Sequence, residues 1–397
     1  MSFTAKRRAY LQQPYLLLLT LLISGCKISD SNLVDQDTAD TSQVLAYPLV
    51  ATGQQHCSDI DGMTIECPGV EDHNYGQDSQ FGGNDFELKD NGDGTVIDAL
   101  TGLTWQQVPA AEGMSYQQAQ EYVESLSLGG YDDWRLPSNK ELFSISDFSH
   151  GWPYLDSEVF ALAQEHGGKD EQFWTEEYVG NTMEGGSEAA FGINHSTGHI
   201  KAYPAAIEGP MAKRVRAVRG EVYGVNDFVD NGDGTVTDRA TGLMWAQQDS
   251  GYGMDWQMAL MFTKDSALAG HNDWRLPNIK ELQSIVDYRY APSASFGEDQ
   301  GPAIDRRYFT ITVLPSNTTL YPEDYPYFWS STSAYFSPED PAYAYAWYVA
   351  FGTAVNNEGE DLHGAGVVRF DTKYEGGPAA EGGERYYNFV RLVRNTP

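Results

Sequence analysis

Cysteine is nearly missing: the 397 residues include three, Cys26, Cys57 and Cys67. So few thiols exclude a disulfide-dense scaffold, and the fold has to be held by burial of apolar side chains. Cationic residues are scarce too, 25 Lys and Arg against 57 Asp and Glu, for a formal charge of −32 with no compensating basic block. Such a surface repels phosphate backbones and sulfated glycans, so nucleic acid is excluded as a partner and sulfated polymers are disfavoured. The eight His residues are scattered, not set at metal-ligand spacing. HExxH, Walker and nucleophile-elbow motifs are absent. A glycosidase pair of carboxylates carries no weight where 57 acids offer many pairs. No catalytic constellation can be read from the chain, and the expectation is a protein that is not an enzyme.

Long apolar runs are also lacking. Tyr15–Ile23 follows Lys6, Arg7 and Arg8 and is far short of the about 20 residues of a membrane-spanning helix, so it reads as a secretory signal. It ends in Ile23-Ser24-Gly25-Cys26, which resembles the lipobox of bacterial lipoproteins and implies lipidation of Cys26. Removing residues 1–25 takes three cations and no acids, leaving 22 Lys and Arg against 57 Asp and Glu, a net of −35. By the same resemblance, Lys27 after the cysteine favours the outer membrane, on its periplasmic or surface face, with the membrane itself a partner through the anchor. Residues 26–56, rich in Ser, Asp, Thr and Gln, read as a flexible tether. Residues 57–83 read as a lead-in. In an oxidising compartment Cys57 and Cys67 are expected to pair, a loop closure of about 2–3 kcal/mol. A zinc site with His56 and His73 is the weaker alternative, because CxxC spacing is missing.

What is present in abundance is turn chemistry and aromatic material: 40 Gly, 18 Pro and 13% aromatic residues. The chain also repeats itself. DNGDGTVIDALTGLTW (Asp90–Trp105) matches DNGDGTVTDRATGLMW (Asp230–Trp245) at 12 of 16 positions, offset by 140. YDDWRLPSNKEL (Tyr131–Leu142) matches HNDWRLPNIKEL (His271–Leu282) at 8 of 12 with the same offset. Phe173-Trp174-Thr175 then corresponds to Phe328-Trp329-Ser330 at offset 155, and Val215–Arg219 to Val390–Arg394 at 175, so insertions gather late in the second copy. Repeats this long are expected to be complete domains, each with its own core, at 84–220 and 221–397. Tyr116, Ala119, Val123 and Leu126 recur at helical spacing, as do Trp256, Ala259, Leu260 and Thr263. Ser138-x-x-Glu141 and Asn278-x-x-Glu281 predict capping boxes at the start of a second helix in each copy.

The repeated DNGDGTV raises the question of calcium. An EF-hand needs an oxygen ligand at position 1 and a bidentate Glu at 12, but setting Gly94 at position 6 puts Lys89 and Leu100 there, and setting Gly234 there puts Val229 and Ala240. A tight hairpin turn is favoured. A calcium site of another kind, from Asp90, Asp93 and Asp98 or from Asp230, Asp233 and Asp238 with backbone carbonyls, stays open beside it. In the Asp-Trp-Arg-Leu-Pro segment, Arg135 and Arg275 are expected to pair with Asp133 and Asp273 or another carboxylate while Trp134 and Trp274 fill the core. A ligand-binding arginine beside an aromatic platform is the functional alternative.

The ordered pattern DNGDGTV-x-D, TGL-x-W, DWRLP-x-x-K-EL, FWSST and V-R-x-V-R resembles the DUF1566 family, also called the Lcl C-terminal domain. Its R-L-P, W-S-S and V-R skeleton is also similar to the formylglycine-generating-enzyme/sulfatase-modifying group. The resemblance implies an α+β fold, two tandem C-type-lectin-like domains with short antiparallel strands, two helices each and long loops, the first and last strands coming together. It further implies a surface or secreted binding domain, often in adhesion, without established chemistry. Sulfatase-modifying oxidation needs cysteines inside the domain, and neither copy has any. The EPN and WND triplets of sugar-binding C-type lectins are absent too. Copy one has Trp174-Thr175-Glu176 where copy two has Trp329-Ser330-Ser331-Thr332, making copy two the better candidate if this segment lines a site. The candidate ligand-binding set is therefore Asp273, Trp274, Arg275, Trp329, Ser330, Ser331, Trp347 and Arg369, with Tyr321, Tyr325, Tyr327 and Phe328 as loop aromatics. A glycan or an envelope protein is the expected partner. An envelope enzyme and a passive structural lipoprotein are the competing readings.

Overall fold

The computed structural model describes residues 45–162, 172–183, 187–207, 209, 212–294, 299–316, 322–335, 341–355, 360–379 and 385–396. A hairpin of β1 (Cys57–Ser58) and β2 (Thr64–Ile65) precedes the repeats and is closed by the Cys57–Cys67 disulfide. Copy one opens with an antiparallel meander, β3 (Leu88–Asp90), β4 (Thr95–Asp98) and β5 (Thr104–Gln106). The turn between β3 and β4 holds Gly92 at φ 76° and Gly94 at φ 87°, where a side chain would be strained. Helices α1 (Tyr116–Ser125) and α2 (Asn139–Ser144) follow, then β6 (Gln172–Met183), β7 (Ser187–Asn194), β8 (Ile200–Pro204) and β9 (Val218–Arg219). Copy two repeats the order with β10 (Phe228–Asp230), β11 (Thr235–Asp238), β12 (Leu243–Ala246), α3 (Trp256–Lys264) and α4 (Ile279–Ser284). A short ribbon, β13 (Leu314–Pro315) with β14 (Glu323–Asp324), falls in its insertion, before β15 (Tyr327–Ala334), β16 (Tyr345–Ala350), β17 (Val368–Thr372) and β18 (Val393–Asn395).

The helix starts follow the predicted chemistry. Ser138 Oγ accepts from Glu141 N at 3.1 Å while Glu141 Oε2 accepts from Ser138 N at 2.8 Å, and Asn278 and Glu281 do the same at 2.9 and 2.8 Å. The closing V-R strand joins the third strand of each meander, in the orders β3-β4-β5-β9 and β10-β11-β12-β18. The last strand thus meets β5 or β12, not the first strand as the resemblance implied.

The copies do not have separate cores. Residues 44–397 form one compact unit, and a six-stranded antiparallel sheet, β15-β16-β17-β8-β7-β6, runs through both copies. The equivalent strands β8 and β17 meet edge to edge at Ile200↔Val368. One large apolar core draws on both copies, and smaller clusters lie under α1 and α3. Two three-stranded sheets pair their backbone groups by joining, which covers what would have been two exposed edges.

The later part of the span expected as a tether, 26–56, is packed into the fold instead. Tyr47, Val50, Thr52 and Gln54 are buried, with Tyr47 edge-on to Tyr223 at 4.6 Å. Residues 26–44, including Cys26, lie outside the described residues. The lead-in precedes copy one in sequence but packs on copy two: Asp78 Oδ2 accepts from Thr52 Oγ1 at 2.7 Å and from Thr332 Oγ1 at 2.6 Å.

Candidate functional site

Most of the ligand-binding residues nominated from sequence hold the fold from inside. Arg275 gives both guanidinium arms to Glu281, at 2.6 and 2.6 Å, and Arg135 does the same to Glu141. Their partner is the capping-box glutamate, because the box turns that carboxylate back toward the incoming chain. Asp133 and Asp273 instead take the last arginine of each V-R-x-V-R, Arg219 and Arg394, at 2.7 and 3.0 Å in both copies. Trp274, Arg275, Trp329, Ser330, Ser331, Trp347 and Arg369 are all buried, and Asp273 is exposed. Trp329 Nε1 donates to Met254 O at 2.9 Å, and Ser330 Oγ donates to Trp347 O at 2.8 Å. Tyr325 and Phe328 are buried and Tyr327 is half-buried, whereas Tyr321 lies outside the described residues. The buried ones present no surface to a ligand, and the exposed Asp273 is engaged by Arg394.

The aspartates of DNGDGTV are each engaged in their own turn. Asp90 accepts from Gly92 N at 2.7 Å, Asp93 from Thr95 N at 3.1 Å and Thr95 Oγ1 at 2.6 Å, and Asp98 from Leu100 N at 3.1 Å. Asp230, Asp233 and Asp238 repeat these bonds to Gly232, Thr235 and Ala240. Among the described residues, no group of three or more His, Cys, Asp and Glu converges as a metal site.

A concave site does exist where the copies meet, a cleft of about 650 Å³. Copy one contributes Lys140, Glu176 and Glu177; the joint contributes Asn226 and Asp227. Copy two contributes Tyr288, Arg289, Asp305 and Arg307. Glu177 follows the Trp174 strand segment and accepts from Asn139 N at 2.9 and 2.8 Å. Burial pushes its carboxyl up to about 8, against the lowering effect of those bonds, so it is largely protonated at neutral pH and able to donate. Lys140, on α2, donates to Asn226 Oδ1 at 2.7 Å and to Gly224 O at 3.2 Å. Burial lowers its ammonium to about 8, although Asp238 and Asp287 act the other way. At the rim, Arg289 pairs with Asp287 and Arg307 with Asp305, each closest at 2.6 Å, and the two arginine side chains are 69% and 75% exposed. The result is a polar concavity of ligand size with a neutral carboxyl, a tethered ammonium and two exposed guanidinium groups.

A model of the Lcl C-terminal domain matches residues 94–219 and 234–370. The chain belongs to the Lcl C-terminal domain family. No curated protein and no solved structure matches it. Seen as two repeats of this family, the cleft has an informative asymmetry. Two of its acids, Glu176 and Glu177, are where copy one departs from the pattern kept in copy two as Ser331 and Thr332. Lys140 corresponds to Lys280, but Lys280 Nζ is consumed by Ala51 O at 2.9 Å and Ser144 O at 2.8 Å. In copy two the equivalent position is closed by the buried segment around Ala51, and among the described residues the two sides therefore differ.

Sequence reasoning passed over Lys140, Glu177, Tyr288, Arg289 and Arg307. The retained K-E-L tripeptide and the Trp-Thr-Glu-Glu departure were the available signals for the first two. The arginines lie in the long insertion of copy two, for which the repeat has no template.

Proposed function

We propose that this protein is a noncatalytic binding module of the bacterial envelope, an outer-membrane lipoprotein held by Cys26 and engaging a polar ligand, a glycan or an envelope protein, in the inter-repeat cleft. The observation that carries the reading is the placement of the cleft's polar groups. Both repeats contribute to it, and its exposed guanidinium groups are held by short carboxylate pairs that fix their direction. The lipobox resemblance supports the anchor, and the absence of a catalytic motif supports binding over turnover.

The test is a glycan and envelope-protein array probed with the purified protein and with Arg289→Ala and Arg307→Ala variants, whose exposed side chains can be removed without opening the core. Binding that is lost in these variants is the expected result. Binding that survives in both would detach the ligand from the cleft. Labelled-palmitate incorporation should disappear in Cys26→Ala, and if the parent protein incorporates none, the anchor is refuted. One observation favours an envelope enzyme as the second reading: a carboxyl held protonated near neutrality in a cleft suits a general acid. Turnover of an arrayed substrate, abolished by Glu177→Gln, would establish it.

A further inference from the structure

Copy one carries a groove of about 930 Å³ that is separate from the inter-repeat cleft, lined among others by Tyr116, Gln117, Gln120, Tyr178, Glu188 and Ala205. The repeat places each of these residues opposite a known position in copy two. Tyr116 N donates to Ala205 O at 2.9 Å as Trp256 N donates to Lys373 O at 3.0 Å. Ala205 N donates to Glu188 O as Lys373 N donates to Ala344 O, at 2.9 and 3.2 Å. The copy-two surface is covered by the disulfide-closed lead-in. There Lys373 Nζ lies 4.1 Å from the centre of the Trp256 ring and donates to Ser58 Oγ at 2.7 Å. Gly62 O accepts from Tyr343 N at 3.1 Å, and Gln54, just before the lead-in, bonds both main-chain groups of Ser333 through its side-chain amide, at 2.8 and 2.9 Å.

Among the described residues, copy one has no segment that makes an equivalent cover. The joint between β9 and β10 is only residues 220–227, against 57–83 for the lead-in, and among the described residues no other stretch crosses the groove. Tyr178, the counterpart of Ser333, is 46% exposed on edge strand β6. Its ring lies 5.6 Å from that of Tyr116 at a 31° tilt. The charges are also changed. Ala205 removes the ammonium that Lys373 supplies, and Glu188 adds a carboxylate where copy two has Ala344. Lys213 does not replace that ammonium, because it is buried over the Tyr203 ring at 4.2 Å.

We propose that this groove binds an extended, lysine-bearing segment of a partner protein, whose ammonium lies against the exposed Tyr178 ring beside Glu188, on the surface that corresponds to the one Lys373 occupies in copy two. A polypeptide is favoured because a polypeptide fills the equivalent surface. A cationic one is favoured because the groove has lost its own cation and gained an acid, on a chain of net charge −32. The same net charge opposes a second copy of this chain and opposes anionic glycans. The proposal does not depend on the cleft.

The experiment uses the full chain on an array of eight-residue Ser/Thr/Val peptides that differ at one central position, Lys, Arg, Gln or Glu. The Lys peptides should bind, and the Gln and Glu peptides should bind at least about tenfold more weakly. Ala205→Lys, which restores the internal cation, should weaken binding of the Lys peptides by a similar factor. So should Glu188→Gln, an exposed change that serves if the first variant folds poorly. Both are to be compared at unchanged melting temperature. Equal binding of all four peptide classes, no binding of any, or full binding by both variants would overturn the proposal. So would a neutral oligosaccharide, or a concentration-dependent dimer, whose binding is abolished by Ala205→Lys, since the groove would then belong to a sugar or to a second copy.

Discussion

Arg275 and Arg135 make the same bidentate pair in the two copies, but their side chains are 8% and 29% exposed. Removing one partner of a buried pair leaves the other charge without compensation, whereas water can solvate a partly open one. Arg275→Ala should therefore cost about 3–5 kcal/mol in denaturant unfolding, and Arg135→Ala clearly less. Asp78 provides a pH test. Its carboxyl accepts from two threonines, yet burial pushes it up to about 6. The folded chain then holds a proton that the unfolded chain has already released between about pH 4 and 6. Stability falls as pH rises through that window, and the loss is complete above the folded value. Asp78→Asn, which has no such proton to release, should flatten the dependence, so the gap in unfolding midpoint between variant and parent should shift in the variant's favour from pH ~4.5 to ~7.5. A constant gap would show that Asp78 does not titrate across that range. At this scale the sequence revealed identities better than partners. That Arg275 pairs with a carboxylate was legible, but Glu281 was hidden because it already had a role in the predicted capping box.

The elements most clearly legible were those encoded by local chemistry. The capping boxes, the apolar spacing of α1 and α3 and the glycine turns need only neighbouring residues to specify them, and the structure has each of them. Gly234 tests the turn. A methyl there would meet Leu268 Cδ1 at 3.7 Å, an ordinary contact, so the cost of Gly234→Ala comes from its φ of 88°. About 1 kcal/mol is expected from thermal or denaturant unfolding. The same hairpin argument predicts that adding calcium to chelator-treated protein leaves its melting temperature unchanged. A rise that disappears in Asp233→Ala would assign calcium to the turn instead. The lead-in was not legible as a cover for copy two. Its docking rests on contacts such as Thr332 to Asp78, separated by 254 residues, and no local pattern announces them.

For the whole molecule, duplication could be read from the repeated words, but fusion of the copies could not. Pairing of β8 with β17 uses backbone groups, which leave no mark in side-chain pattern. Trp347, nominated as a ligand residue, in fact packs edge-on against Tyr154 and Phe148 of the other copy, at 5.5 Å each. Trp347→Ala should cost about 3–5 kcal/mol, and calorimetry of the parent should show one transition, because neither copy can unfold without stripping the other's sheet. Two resolved transitions would contradict the shared core.

The joining of equivalent strands has a kinetic consequence. Two separate one-repeat chains meeting along that edge would form a symmetric pair whose survival depended on dilution. Covalent succession through eight residues, 220–227, makes the encounter intramolecular, at an effective concentration in the millimolar range. Assembly then persists however sparsely the protein is produced, and the two halves are free to diverge without first having to find each other.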